Sequence, residues 1–324
     1  MTIRPATAWR ITGIGSVCLA LLSSHTVQAQ VKLEYKFPEG RKLTYKSTAK
    51  TKQILTLQGT AIETENDQVV VTSRSAGKRR DDATLPVEEK IESLHLELSL
   101  PGGINVTFDS SNPDAKIENP ALAFLGEALK LTSETTYTLV LDEQNKVKAV
   151  EGTEKLLEKA DKLSPQAKDV VHDRMQNDKV KMRFEQELRA LPDVLARPGE
   201  SWERTEVLDI GSGQTLIFKK KYEYVGTEKR GDQTLDKISS KVTEVEFKLD
   251  PASNSPLKVV KSDLKPAASE GTMLFDREAG HVVSAKGKTQ IKGDMMTFSF
   301  NGAELPGALD LTIETATELQ AAAK

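Results

Sequence analysis

Cysteine is nearly missing from this chain: one residue, Cys18, stands among 324, and it lies in the N-terminal apolar run. Disulfides, thiolate metal sites and cysteine nucleophiles are therefore excluded beyond that run. Aromatic residues make up only 5% of the sequence, too few for the stacking platforms that glycoside cleavage usually calls for. Neither sign of charge dominates, with 45 Lys and Arg against 48 Asp and Glu and a formal net charge of −3. The charges are interspersed, and the short basic clusters Lys78-Arg79-Arg80 and Lys219-Lys220-Lys221 are read as solvated surface. No field is left to draw in nucleic acid.

Histidine is also scarce. Past the N-terminal run only His95, His172 and His281 remain, and none forms a His-x-x-x-His or His-Glu-x-x-His pair. A zinc-protease motif is absent, as are a phosphate-cradling glycine loop and an Asp-x-Asp-x-Asp-Gly calcium loop. Gly211-Ser212-Gly213 lacks the strand-to-helix setting of a nucleophile elbow and is expected to be a hairpin loop. His95 and Glu97 share a strand face, His172 lies beside Asp169 and Asp173, and His281 follows Gly280 in a turn. These patterns fit solvated faces and turns. The sequence offers no catalytic residue, no metal ligand and no cofactor motif, and a hydrolase is the last of the functional readings.

Long hydrophobic runs are missing too, except at the start. Arg4 and Arg10 precede the apolar stretch Ile11–Leu22, and Val27-Gln28-Ala29 supplies a small-residue cleavage site before Gln30. This is the pattern of a signal peptide over residues 1–29, too short to span a bilayer. Gly15-Ser16-Val17 before Cys18 does not make a lipoprotein box. The expectation is an exported bacterial protein, periplasmic or extracellular. Strands polar on both faces, such as Leu43–Thr51, lack the lipid-facing pattern of an outer-membrane barrel. The protein is not expected to be integral to a membrane after cleavage.

What is present in quantity is period-two alternation rich in Thr, Val, Leu and Ile, which predicts half-buried strands. In Ile91–Leu100 the leucines 94, 96, 98 and 100 share one face, and Pro101-Gly102-Gly103 then reverses the chain. Strands are also predicted at 31–37, 43–57, 60–65 and 68–73, with Asn66-Asp67 as a turn, and again at 214–225, 233–249, 257–264, 281–292, 296–301 and 309–319. Helices are few. Asn119-Pro120 opens one over 119–130, with Leu122, Leu125 and Leu129 on a single stripe. A longer amphipathic block fills 152–196, restarting at Ser164-Pro165 and ending at Leu191-Pro192.

Thr138–Asp142 followed by Val147 and Gly152 is echoed by Thr272–Asp276 followed by Val282 and Gly287. Each predicts a strand, an Asp-opened turn and a second strand. The organisation expected is mainly β (α+β), with large antiparallel curved sheets. Two related β units, 30–151 and 197–324, would flank the helical block 152–196.

Three segments carry a resemblance: Phe37-Pro38-Glu39-Gly40-Arg41-Lys42-Leu43-Thr44-Tyr45, Pro198-Gly199-Glu200-Ser201-Trp202, and Leu274-Phe275-Asp276 with the following Gly280–Gly287. Together they resemble a bacterial family of secreted proteins of unknown function over nearly the whole mature chain. That resemblance implies no site residue. The curved-sheet-plus-helix style is also distantly similar to the periplasmic lipoprotein carriers of the outer-membrane sorting pathway, in architecture only. A curved sheet leaves an apolar concave face to be covered, so a binding module for an apolar or amphipathic ligand, such as a lipid, is the leading expectation. Leu122, Leu125 and Leu129 are its candidate ligand-binding residues. A structural or protein-interaction component of the cell envelope is the alternative.

Overall fold

The computed structural model describes residues 30–321 apart from 113, 115, 212, 251–252 and 254–256, so the signal peptide and cleavage site expected from the sequence lie outside the described residues. The fold is mainly β: one large antiparallel open sheet of 13 strands with four helices among the described residues.

The first strands are β1 (Lys42–Leu57), β2 (Thr60–Ala76), β3 (Leu85–Leu100), β4 (Ile104–Asp109), β5 (Thr136–Leu141) and β6 (Val147–Glu151). A 3₁₀ turn, Pro120–Leu122, leads into α1 (Ala123–Ser133) between β4 and β5. After β6 come α2 (Thr153–Ala160), α3 (Pro165–Met175) and α4 (Asn177–Leu188). The remaining strands are β7 (Ser201–Gly211), β8 (Gln214–Arg230), β9 (Gln233–Leu249), β10 (Leu257–Lys261), β11 (Lys265–Asp276), β12 (His281–Phe300) and β13 (Ala303–Leu319).

The order across the sheet is β6-β5-β3-β2-β1-β13-β12-β11-β9-β8-β7, with β4 beside β3 and β10 beside β12. The chain thus starts at the centre, meanders to the β6 edge, crosses through α2–α4 and returns from the β7 edge to the centre. Pairing of β1 with β13, from Tyr45↔Leu319 to Leu57↔Gly307, joins the two halves into a single sheet. The sheet curls strongly. Its β7 edge shares a cavity wall with β2 and β3, which lie far along the strand order.

Two strand expectations are corrected. Residues 31–37 form no strand; the segment makes an isolated bridge, Val31↔Ala196, and packs Leu33 and Tyr35 into a core with Tyr222, Tyr224 and Phe275. Nor is there a turn at Asn66-Asp67, because β2 runs unbroken through it, with Thr51↔Asn66 and Lys50↔Asp67 in register. The reversal falls at Gln58-Gly59, whose φ values of 49° and 82° make a two-residue turn matched to strand twist. The predicted hairpins at Asp142 and Asp276 both form, β5 with β6 and β11 with β12.

The helices follow their sequence signals. The Asn119 side chain accepts from Ala121 N at 3.0 Å, and Pro120 follows where its missing N–H costs nothing. Pro165 opens α3 in the same way. Ala167, Val171 and Met175 of α3 and Val180 and Phe184 of α4 are buried against Leu85, Val87, Leu139 and Leu141. The helical block therefore seals one end of the curl, while α1 sits between that core and the β3–β4 hairpin. None of the described helices is long and apolar enough to cross a membrane.

Candidate functional site

Val70, Thr72 and Arg74 of β2 share the strand face that lines the cavities between sheet and helices, so an arginine falls on the enclosed side. Burial of an unpaired guanidinium would be costly, and the fold supplies two carboxylates. Glu89, opposite Arg74 in register on β3, accepts from Nε at 3.1 Å and from Nη2 at 2.8 Å. Glu187 of α4 accepts from Nη1 at 2.8 Å and Nη2 at 3.0 Å. Tyr137 donates to the other Glu89 oxygen at 2.6 Å, and the guanidinium lies 4.7 Å from the centre of the Phe184 ring. This network ties α4 to the middle of the sheet.

Burial shapes its titration. The surrounding protein disfavours charge on Glu187, but Arg74 prevails and holds the carboxyl below the usual glutamate value. Burial likewise opposes the Arg74 charge, and Glu187 and Glu89 together raise its pKa well above the usual value. Tyr45 is pushed up to about 12 by burial. The Glu187 side chain keeps 43% of its surface accessible, because it lines a cavity.

That cavity, about 350 Å³, lies between α4 and the sheet centre and is walled by Tyr35, Tyr45, Arg74, Met273 and Ala285. A larger one, about 680 Å³, opens beside it, and Thr72 and Glu89 line both. Its walls are Val70 and Ile91 from the sheet, Met175 and Met182 from the helices, and Leu208 and Ile210 from β7. The last two are 39% and 50% exposed. Asp173, Arg174, Lys179, Arg183 and Asp209 supply charge along the same cavity. A concave, largely apolar space of this size with a few convergent polar groups is the usual form of a small-molecule site.

The sequence candidates lie elsewhere. Leu129 is buried with Leu94, Leu96, Val106, Phe108 and Ile117, and Leu122 and Leu125 pack partly buried against that cluster. The stripe of α1 thus covers the β3–β4 hairpin, and none of the three leucines lines either cavity. The histidines are dispersed. His95 meets Glu97 at 3.2 Å and Asp109 at 3.4 Å, and His172 meets Asp161 at 3.0 Å. His281 opens β12 directly after the turn at 277–280, yet it is buried and takes a hydrogen bond on Nδ1 from Arg41 Nη2 at 3.0 Å. Sequence reasoning missed Arg74, Glu89, Glu187, Arg174 and Arg183. In the strand and helix patterns these residues look like ordinary solvated charges, and no local signal marks them.

A curled antiparallel sheet with helices laid into its open side, leaving a cavity between them, defines the protein's class. Residues 82–245 match the model of DUF6263, a family of unknown function, and the chain belongs to that family. No curated protein matches. Among solved structures the chain is similar to lipovitellin, in a structure concerned with its lipid–protein interactions. There the identity is 9%, the TM-score is 0.47, and the match covers 88% of this chain and 26% of that one. The chain therefore spans about a quarter of lipovitellin's length. It is also similar to the COG4313 outer-membrane channel of Pseudomonas putida F1, with 9% identity, a TM-score of 0.23, and coverage of 89% and 98%. An exported protein of YmcC-like fold from Bacteroides fragilis matches at 8% identity with a TM-score of 0.22, covering 87% of this chain and 98% of that one.

Proposed function

We propose that the protein is an exported binding module that holds an apolar or amphipathic ligand between the curled sheet and α3–α4. The observation that carries this reading is the cavity of about 680 Å³ walled by Val70, Ile91, Met175, Met182, Leu208 and Ile210. Side chains of this kind pack to crystal-like density when a site exists only for stability. Here they face open space, and two on the β7 edge remain accessible.

Export rests on the signal pattern of residues 1–29, and mass analysis of the protein from its host should find Gln30, or its cyclised form, at the N-terminus. A chain still beginning at Met1 would defeat that part. In the same reading, 30–151 and 197–324 are related β units, and the helical block 152–196 is the element that closes over the ligand.

Thermal melts with and without long-chain lipids test the binding reading. A ligand that binds only the folded state stabilises it by about 2.7 kcal/mol at one hundred times its Kd. A melting temperature that rises with lipid concentration is expected, and one indifferent to every apolar ligand would overturn the proposal.

A role as an envelope interaction protein has one observation in its favour. Val260, Met295 and Phe300, on β10 and β12, are 51%, 72% and 47% exposed. Apolar surface left open on paired strands suits a protein partner.

A further inference from the structure

Within the larger cavity, two arginines differ from the other charged residues. Arg183 Nη1 donates to the backbone carbonyl of Arg174 at 2.8 Å, which sets the two residues side by side where α3 passes into α4. Both line the cavity. Among the described residues, neither guanidinium is within ion-pair distance of a carboxylate. The acids that share the cavity are already engaged. Glu89 is held by Arg74 and Tyr137, while Asp173 and Asp209 both accept from Lys179.

Arginine presents five N–H donors in a planar fork, and only one from Arg183 is spent here on a backbone oxygen. Both residues are exposed where they line the cavity, and two like charges side by side with no hydrogen-bonded counter-ion repel each other. Desolvation and the neighbouring Arg183 hold Arg174 below the usual guanidinium value, against the attraction of Asp173 and Asp209. Planar, bidentate recognition of carboxylate or phosphate is what such a fork does best. Close by, Val70, Ile91, Met182 and Leu208 present an apolar wall that a free inorganic anion would not use.

The geometry points to an anionic amphiphile as the ligand: its carboxylate or phosphate headgroup sits on Arg174 and Arg183, and its hydrocarbon chain lies along the apolar wall. This inference rests on the binding reading above and names its ligand class. The headgroup supplies a hydrogen-bonded partner for the two forks, and the chain supplies the burial.

The test is a displacement series on the purified protein loaded with a neutral apolar fluorophore, using oleate, oleyl phosphate, oleyl alcohol and oleylamine. Hydrogen bonds to charged groups contribute about 1.5–3 kcal/mol, so the better anion should displace the probe at a concentration at least about tenfold lower than the alcohol. Whichever of the two anions prevails identifies the headgroup. The R174Q/R183Q double variant should lose that preference and still bind the alcohol, and R174K/R183K should recover part of it. If the double variant fails to fold, the series on the unaltered protein decides alone. Equal displacement by oleyl alcohol and both anions would overturn the headgroup assignment and leave the apolar site standing. No probe uptake at all would overturn the binding reading itself.

Discussion

The side-chain amide of Gln186 pairs with the backbone of Val207 as a neighbouring strand would. Its Nε2 donates to the Val207 carbonyl at 3.2 Å, and its Oε1 accepts from the Val207 N–H. β7 is the last strand of the sheet, and an open edge exposes unpaired backbone groups. One helix residue thus satisfies both groups of an edge position and fastens α4 across the cavity.

Replacing Gln186 by Ala should loosen this clasp. A net hydrogen bond contributes about 0.5–1.5 kcal/mol, and water can reach an edge strand, so a loss of roughly 1–2 kcal/mol is expected. Hydrogen exchange at the Val207 amide should accelerate more than at Leu216 in the neighbouring β8. Unchanged protection at Val207 would show that the clasp is dispensable.

Arg74 should be far less forgiving. Its removal leaves Glu89 and Glu187 facing each other without a cation, and breaking a buried pair from one side costs on the order of 3 kcal/mol. The partial accessibility of Glu187 tempers its share of that cost. Arg74→Met should therefore lower the denaturation midpoint strongly, and adding Glu89→Gln and Glu187→Gln should recover much of the loss. If the triple variant is no better than the single one, charge is not what Arg74 contributes.

His281 and Glu187 both contribute to the acid response. His281, ordinarily near 6.5, is held lower by burial and by Arg41, with Asp276 and the Ala279 carbonyl acting against them. Because the unfolded chain then takes the proton first, stability is complete above 6.5 and falls as pH drops through it. Glu187, held below its ordinary 4.5, adds a second loss that begins as pH falls through that value. Melting temperatures should decline in two stages below pH 7, and His281→Gln should remove the upper stage. A flat profile from pH 7 to 5 in the unaltered protein would contradict the first stage.

Much of the sheet was legible in the sequence because alternation is a local property. Leu94, Leu96 and Leu98 share the inner face of β3 as their spacing requires, and Asn119-Pro120 and Ser164-Pro165 mark real helix starts. Turn placement was less legible. Asn66-Asp67 carries turn-forming residues but lies in mid-strand, whereas the reversal falls at Gln58-Gly59, in the gap between the strands predicted at 43–57 and 60–65. The candidate site was not legible at all. Arg74 and Glu187 come together only when α4 is carried across the curl, a relation between distant segments that no local pattern encodes. The α1 leucines, whose amphipathic spacing suggests a ligand stripe, pack with the β3–β4 hairpin.

Within that stripe the positions should differ. Leu129 is 4% exposed inside its cluster, while Leu122 and Leu125 are only partly buried. Leu129→Ala should cost about 2–5 kcal/mol, and Leu125→Ala distinctly less. Neither should change probe affinity once the folded fraction is allowed for, since neither residue lines a cavity. A specific loss of binding in Leu125→Ala would return the site to α1.

The central claim is that the space between β2, β3, β7 and α3–α4 takes up an apolar ligand. Fluorescence titration with N-phenyl-1-naphthylamine, on the unaltered protein and on Val70→Trp, tests it most directly. Val70 lines the cavity, and an indole there fills it from the sheet side. Saturable uptake of one probe per chain, weakened about tenfold or more in a folded Val70→Trp, is the result the account predicts. Uptake that never saturates, or that Val70→Trp leaves unchanged, would contradict it.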